Sequence, residues 1–119
     1  MKVFYSDSYQ IDIGPHVMPI GKFRLVRDGM LATGLDFELV EPEPASLMDL
    51  LRVHSEEYVR AVLTGIPREL AESKTFRWSP ELAESVRLTS GGCIGASKAA
   101  LEDGISGNLA SGFHHAQRD

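Results

Sequence analysis

The chain has 119 residues, 43% of them hydrophobic and 24% charged, a balance that suits one small α/β domain and excludes disorder over most of the length. Its formal net charge of −5 argues against non-specific nucleic-acid binding, which needs Lys and Arg to neutralise phosphates, and against an anionic membrane surface. One cysteine, Cys93, excludes an intramolecular disulfide. No apolar run reaches bilayer length and Met1–Tyr5 lacks a signal-peptide core, so the expected location is cytoplasmic.

In chain order, Lys2–Tyr5 reads as a short strand, followed by a polar stretch broken by Gly14-Pro15. Pro19 opens a helical pattern in which Phe23, Val26 and Met30 recur on one face and Gly34 caps the end. The cluster Lys22, Arg24, Arg27 on that helix reads as a solvated face. Phe37–Val40 is a second strand, and Glu41-Pro42-Glu43-Pro44 is an acidic connection too proline-bound for an acid–base couple.

Ser46 caps a short helix carrying Leu47, Leu50 and Leu51. Ser55 caps the next, with Glu56 and Glu57 at the positive end of its dipole and Gly65-Ile66-Pro67 at its close. Residues 68–78 read as a loop with one helical turn. Ser79-Pro80-Glu81 combines a cap, a first-turn proline and an acidic residue, which predicts a helix from Pro80 to about Asp103, stopped by Gly104. Leu82, Val86, Cys93, Ala96 and Ala100 are expected to face inward, with Cys93 as a small core hydrophobe. Gly91-Gly92 inside that helix costs about 1 kcal/mol per glycine relative to alanine, which points to close backbone packing or a kink. Ile105–Ala110 is the third strand. Strands alternating with helices imply parallel pairing through right-handed crossovers, and the whole of 1–119 reads as one domain.

In parallel α/β sheets functional groups gather at the carboxyl ends of strands, where His114 and His115 follow the third strand. Imidazoles titrate near neutral pH and can shuttle protons; they can also bind metal, or simply sit in a polar loop. Spacing alone does not choose among these. The surrounding residues add to it. Gly107-Asn108-Leu109-Ala110-Ser111-Gly112-Phe113-His114-His115-Ala116 resembles the Asn-Leu-Ala-Gly-Gly-x-His-His-Ala motif of histone deacetylases and of bacterial acetoin-utilisation and acetylpolyamine deacetylase relatives. Ser111 stands where that motif has glycine. His16-Val17-Met18-Pro19 with Lys22 is similar to the family's His-Pro-x-x-Pro-x-Arg segment, Val53–Val59 to its His-x-x-x-Tyr helix start, and Ser90-Gly91-Gly92 to the glycines of its long helix.

The resemblance implies an α/β, three-layer arginase/deacetylase-like fold, truncated to a short parallel sheet of about three strands flanked by helices and ordered second-first-third. It implies a zinc-dependent amidohydrolase in which a metal-bound water attacks an N-acetyl carbonyl, with His114 and His115 as the proton-handling pair and His16, Trp78 and Phe113 at the substrate rim. The family's ligands are an Asp-x-His on the next strand and a later aspartate. Residues 1–119 contain no Asp-x-His, so no metal ligand and no cofactor is expected in this chain, and none of the family's turnover from it alone.

Plainer readings stand beside these. His16 is a loop histidine bonded to backbone, His54 a helix-entry residue with a structural hydrogen bond, and Trp78 an anchor for its loop. For the whole chain, the alternatives are an interaction module built on the deacetylase fold, or one half of a split enzyme. An edge left at the third strand predicts a homo-oligomer, most simply a two-fold dimer through that region.

Overall fold

The computed structural model describes residues 1–15, 19, 21–74, 76–110 and 117–119. Three short parallel strands form its sheet: β1 (Lys2–Phe4), β2 (Glu38–Val40) and β3 (Ser106–Asn108). Their order is β2-β1-β3, the order implied by the motifs. Val3 lies opposite Leu39 on one side and Gly107 on the other, and Phe4 opposite Val40 and Asn108. Being central, β1 is the buried strand, with Val3 and Phe4 both in the core, whereas β2 and β3 keep intermediate or open positions.

Between β1 and β2 the chain makes a 3-10 turn over Asp7–Tyr9 and helix α1 (Lys22–Ala32). The helix begins later than Pro19 because Pro19 instead closes a turn, its carbonyl accepting from Lys22 N–H at 3.0 Å. No residue of α1 is fully buried. Phe23 touches Tyr9 edge-to-face at 6.3 Å and Met30 is half-buried, but Val26 is 47% exposed, so the expected stripe is interrupted in its middle. Gly34, with φ +70°, turns the chain out of the helix end.

Helix α2 (Leu47–Leu51) is started by a reciprocal capping box: Ser46 Oγ accepts from Asp49 N–H at 3.1 Å, and the Asp49 carboxylate accepts from Ser46 N–H at 3.1 Å. Helix α3 (Glu56–Thr64) is capped by Ser55 and ends where Gly65 adopts φ +76°. Helix α4 (Arg68–Ala71) is the single turn expected in that stretch.

Helix α5 (Pro80–Asp103) is the frame. Ser79 Oγ accepts from Leu82 N–H at 3.0 Å, and Gly104 closes the other end in the left-handed region with its N–H on the Ala100 carbonyl. Its buried face is Ala83, Ser85, Leu88, Thr89, Gly91, Gly92, Ala96 and Ala99. Of the set expected inward, only Ala96 is fully buried; Leu82, Val86 and Ala100 are half-buried and Cys93 is exposed. The physical reason is backbone proximity. The helix turns its smallest side chains toward the sheet and the 41–45 loop, and the larger ones flank that seam.

Glycine makes the approach possible. A Cβ at Gly91 would lie 1.9 Å from the Glu43 carbonyl oxygen, and one at Gly95 would lie 2.7 Å from the Phe4 ring. The loop is then tied to the helix in both directions: Ala45 N–H donates to Arg87 O at 2.9 Å and Arg87 Nε donates to Ala45 O at 3.2 Å. The expected close packing is thus against backbone at Gly91 and against the side chains of Tyr9 and Asn108 at Gly92, without a break in the helix. No helix among the described residues is long and apolar enough to cross a membrane.

Candidate functional site at the carboxyl end of the sheet

Strands β1 and β3 both run toward the edge at which the chain leaves for residues 111–116. Leu109 N–H donates to Phe4 O at 2.9 Å, extending the pairing one step past β3. Asn108 is the last residue of β3, and its side chain ties down the strand's exit. Its Oδ1 accepts from Tyr9 Oη at 2.7 Å, and its Nδ2 donates to Ala110 O at 2.7 Å and Thr89 O at 3.2 Å. One amide therefore joins the 3-10 turn, α5 and the residue just upstream of Ser111. Its donors and acceptor are all used, so its orientation is fixed by chemistry as well as packing.

Tyr9 is 1% exposed, packed with Tyr5, Leu88 and Ala110. Burial raises its phenol well above the ordinary tyrosine range, with Cys93 and Glu41 adding to the shift; Tyr9 is thus a neutral donor to Asn108. Ser85 Oγ donates to the Tyr9 carbonyl at 3.3 Å. Gly92 sits directly beneath this pair, since a Cβ there would come 2.2 Å from Tyr9 Oη and 2.6 Å from Asn108 Oδ1. Cys93 Sγ lies 3.3 Å from Asn108 Nδ2, so the thiol, although at the surface, borders the same node.

A second polar group lies beside the first. Tyr5 Oη donates to Asp7 Oδ1 at 2.7 Å, and Arg24 and Arg27 each reach the same carboxylate at 3.3 Å. That hydrogen bond from Tyr5, reinforced by the two guanidinium groups, holds Asp7 below the usual carboxylate range. Burial first, and then the Asp7 contact, raises Tyr5. Arg27 also stacks 4.9 Å from the Tyr5 ring. Lys22 and Arg24 stay exposed, as expected of a solvated face, while Arg27 is drawn onto the Tyr5 ring.

Of the residues singled out from the sequence, His16, Phe113, His114 and His115 lie outside the described residues, as does Ser111. Trp78 lies between α3 and α5, where its Nε1 donates to Val62 O at 2.7 Å, its N–H donates to Glu72 Oε1 at 2.8 Å, and Arg68 stacks 5.0 Å from its ring. A Cβ at Gly65 would overlap that ring at 2.7 Å. His54 makes the structural hydrogen bond expected of it, with Nδ1 2.8 Å from Arg118 O. Tyr9 is the residue that sequence reasoning missed. It sits in a polar stretch, and its partner Asn108 is 99 positions away; the one available signal was the Gly92 gap, which requires a close neighbour.

The deciding comparison is with protein families: the model of the Histone deacetylase domain matches residues 16–119. The chain belongs to the histone deacetylase family. Relatives agree. Over 123 residues it is 32% identical to a protein named "Probable deacetylase" from Methanothermobacter thermautotrophicus, covering 100% of this chain and 37% of the relative. It is 31% identical over 131 residues to Histone deacetylase 2 of Arabidopsis thaliana, covering 97% and 33%. An uncharacterized protein of Picosynechococcus sp. is also 31% identical, over 118 residues, covering 96% and 39%. The chain thus spans between 33% and 39% of the length of these relatives. The short parallel sheet flanked by helices is this deacetylase family's α/β fold as far as the segment extends. Among the described residues no group of three or more His, Cys, Asp or Glu could hold a metal ion.

Proposed function

We propose that residues 1–119 carry the proton-handling part of a deacetylase-type amidohydrolase acting on N-acetylated lysine or amines. The observation that supports this is the run from β3 through Asn108 toward the His-His pair, in a chain matched by the histone deacetylase model from residue 16 onward. In the overall reaction an N-acetyl amide and water become an ammonium and acetate. One imidazole takes the proton of the attacking water; the other delivers a proton to the departing nitrogen. His114 and His115 suit both tasks near neutral pH. On the same reading His16, Trp78 and Phe113 face the substrate.

The zinc ligands of such an enzyme lie outside 1–119, in further sequence or in a separate chain, because no Asp-x-His occurs here. Residues 1–119 alone then give no turnover, since parts of a cooperative catalytic unit retain little of its acceleration. The test is complementation. Residues 1–119 are combined with the part of the Methanothermobacter relative beyond the matched region, with zinc and a fluorogenic acetyl-lysine peptide. Turnover is expected only in the mixture, and to fall roughly 100-fold or more on His115→Ala. Turnover in the mixture that ignores both His114→Ala and His115→Ala removes the assignment.

A two-fold dimer through the β3 region is part of the proposal for the chain on its own. Supporting it, β3 is an edge strand in the order β2-β1-β3, with Leu101 and Ile105 exposed beside it. Sedimentation at micromolar concentration should give twice the chain mass; a monomer there removes the dimer.

A further inference from the structure

Residues just downstream of the histidine segment are held by a second set of contacts. His54 Nδ1 lies 2.8 Å from the Arg118 carbonyl oxygen, which can only accept, so this ring nitrogen carries the proton. Ser55 Oγ donates to the Asp119 carboxylate while accepting from Tyr58 N–H, so both capacities of the hydroxyl are used. Lys74 Nζ donates to Gln117 Oε1 at 2.8 Å and to the main-chain oxygen of Asp119 at 2.7 Å. Tyr58 lies at the centre, its ring 5.4 Å from that of His54 and 5.9 Å from Lys74 Nζ. Three side chains from two separate stretches thus converge on three consecutive residues.

The upstream side of the same segment is held independently. Asn108 fixes the Ala110 carbonyl, and Tyr9 fixes Asn108. Ala110 is therefore tied to β3 and, through Asn108, to the 3-10 turn and α5, and the Gln117 side chain to Lys74 in the turn after α4, by groups that share no contact in these two networks.

We propose that His54, Ser55 and Lys74 are positioning residues that dock Gln117–Asp119 and so set the downstream anchor of the segment bearing His114 and His115. The consequence for catalysis rests on the proton-transfer reading of those histidines; the docking does not. A geometric error of about 1 Å at a proton-transferring group can cost about 100-fold in rate, which gives such an anchor its importance.

The test uses the 119-residue chain labelled with nitrogen-15. Backbone relaxation of Gln117–Asp119 and the imidazole nitrogen signals of His114 and His115 are compared in wild type, in Lys74→Met, and in a His54→Ala/Lys74→Met double variant. Wild type should show order parameters near those of a rigid backbone (about 0.8), and the double variant a drop below about 0.6. The two histidine signals should shift with it, and amides of α3 and α5 should stay in place. His54→Asn keeps a donor near the Nδ1 position and should restore much of the order. Lys74→Met, a surface change, keeps the question answerable if the double variant unfolds. Order parameters below about 0.6 already in wild type overturn the proposal. So does a change spread evenly through α3 and α5, or histidine signals that do not move. Failure of the functional reading looks different: complemented turnover indifferent to His114→Ala and His115→Ala, with docking intact.

Discussion

Replacing Gly92 with alanine sets two opposed effects against each other at one position. Alanine is the better helix former by about 1 kcal/mol, and Gly92 lies inside α5. Yet the new methyl would stand 2.2 Å from Tyr9 Oη and 2.6 Å from Asn108 Oδ1, on both ends of a single 2.7 Å hydrogen bond. Overpacking of a close-packed seam costs about 1–3 kcal/mol. Separating a buried phenol from its acceptor costs about 1–3 kcal/mol more. The net is a loss of about 3 kcal/mol, a large share of the roughly 5–15 kcal/mol typical of a folded chain. With a urea slope of about 1.5–2 kcal/mol per molar, the midpoint falls by about 1.5–2 M. Trp78 is the one tryptophan and its fluorescence reports the transition. Gly29, inside α1 with nothing within 4 Å of a built Cβ, is the control: Gly29→Ala should gain about 0.5–1 kcal/mol. In a Tyr9→Phe background the shortest overlap disappears, and the Gly92→Ala penalty should shrink by about 1–2 kcal/mol. A Gly92→Ala midpoint at or above wild type, moving with Gly29→Ala, refutes the reasoning.

Ser79→Ala removes the acceptor for Leu82 N–H and should lower stability by about 1 kcal/mol in the same urea assay. Trp78→Phe keeps most of the packing but deletes the donor to Val62 O, costing about 1 kcal/mol; an unchanged midpoint would show that water replaces the contact freely. Asp7, Asp49 and Asp119 are each held below the ordinary carboxylate range, chiefly by hydrogen bonds from Tyr5, Ser46 and Ser55 respectively. Because their folded values are depressed, the stability they add is complete above the unfolded value of about 3.9 and is lost as pH falls through the folded values. Thermal midpoints should therefore hold from about pH 7 to about pH 5 as far as these groups act, then decline toward about pH 2. Ser46→Ala should flatten that decline; a steeper one contradicts the sign.

What was legible in the sequence was what is encoded locally. Ser79-Pro80-Glu81 and Gly104 delimit α5 because caps and a first-turn proline act within one turn of themselves. Ser46 and Ser55 do the same for α2 and α3. The sheet order needed the motif resemblance, since strands of three residues carry too little pattern to specify partners. The face of α5 was misjudged at Cys93 for a tertiary reason. Large apolar residues usually mark the inward side, but here backbone contact at Gly91 and the Tyr9–Asn108 bond over Gly92 decide which side is buried. Of the candidate site, the His-His pair was visible as a motif, whereas the residues that hold its neighbours were not. Tyr9 and Asn108, and His54 and Arg118, come together only in the folded chain.

The most direct measurement is zinc content beside acetyl-lysine peptide turnover for purified residues 1–119, wild type against a His114→Ala/His115→Ala double variant. A proton-handling pair without its ligand set predicts substoichiometric zinc and the same background rate for both proteins. One tightly bound zinc per chain, with turnover abolished by His115→Ala, would contradict it.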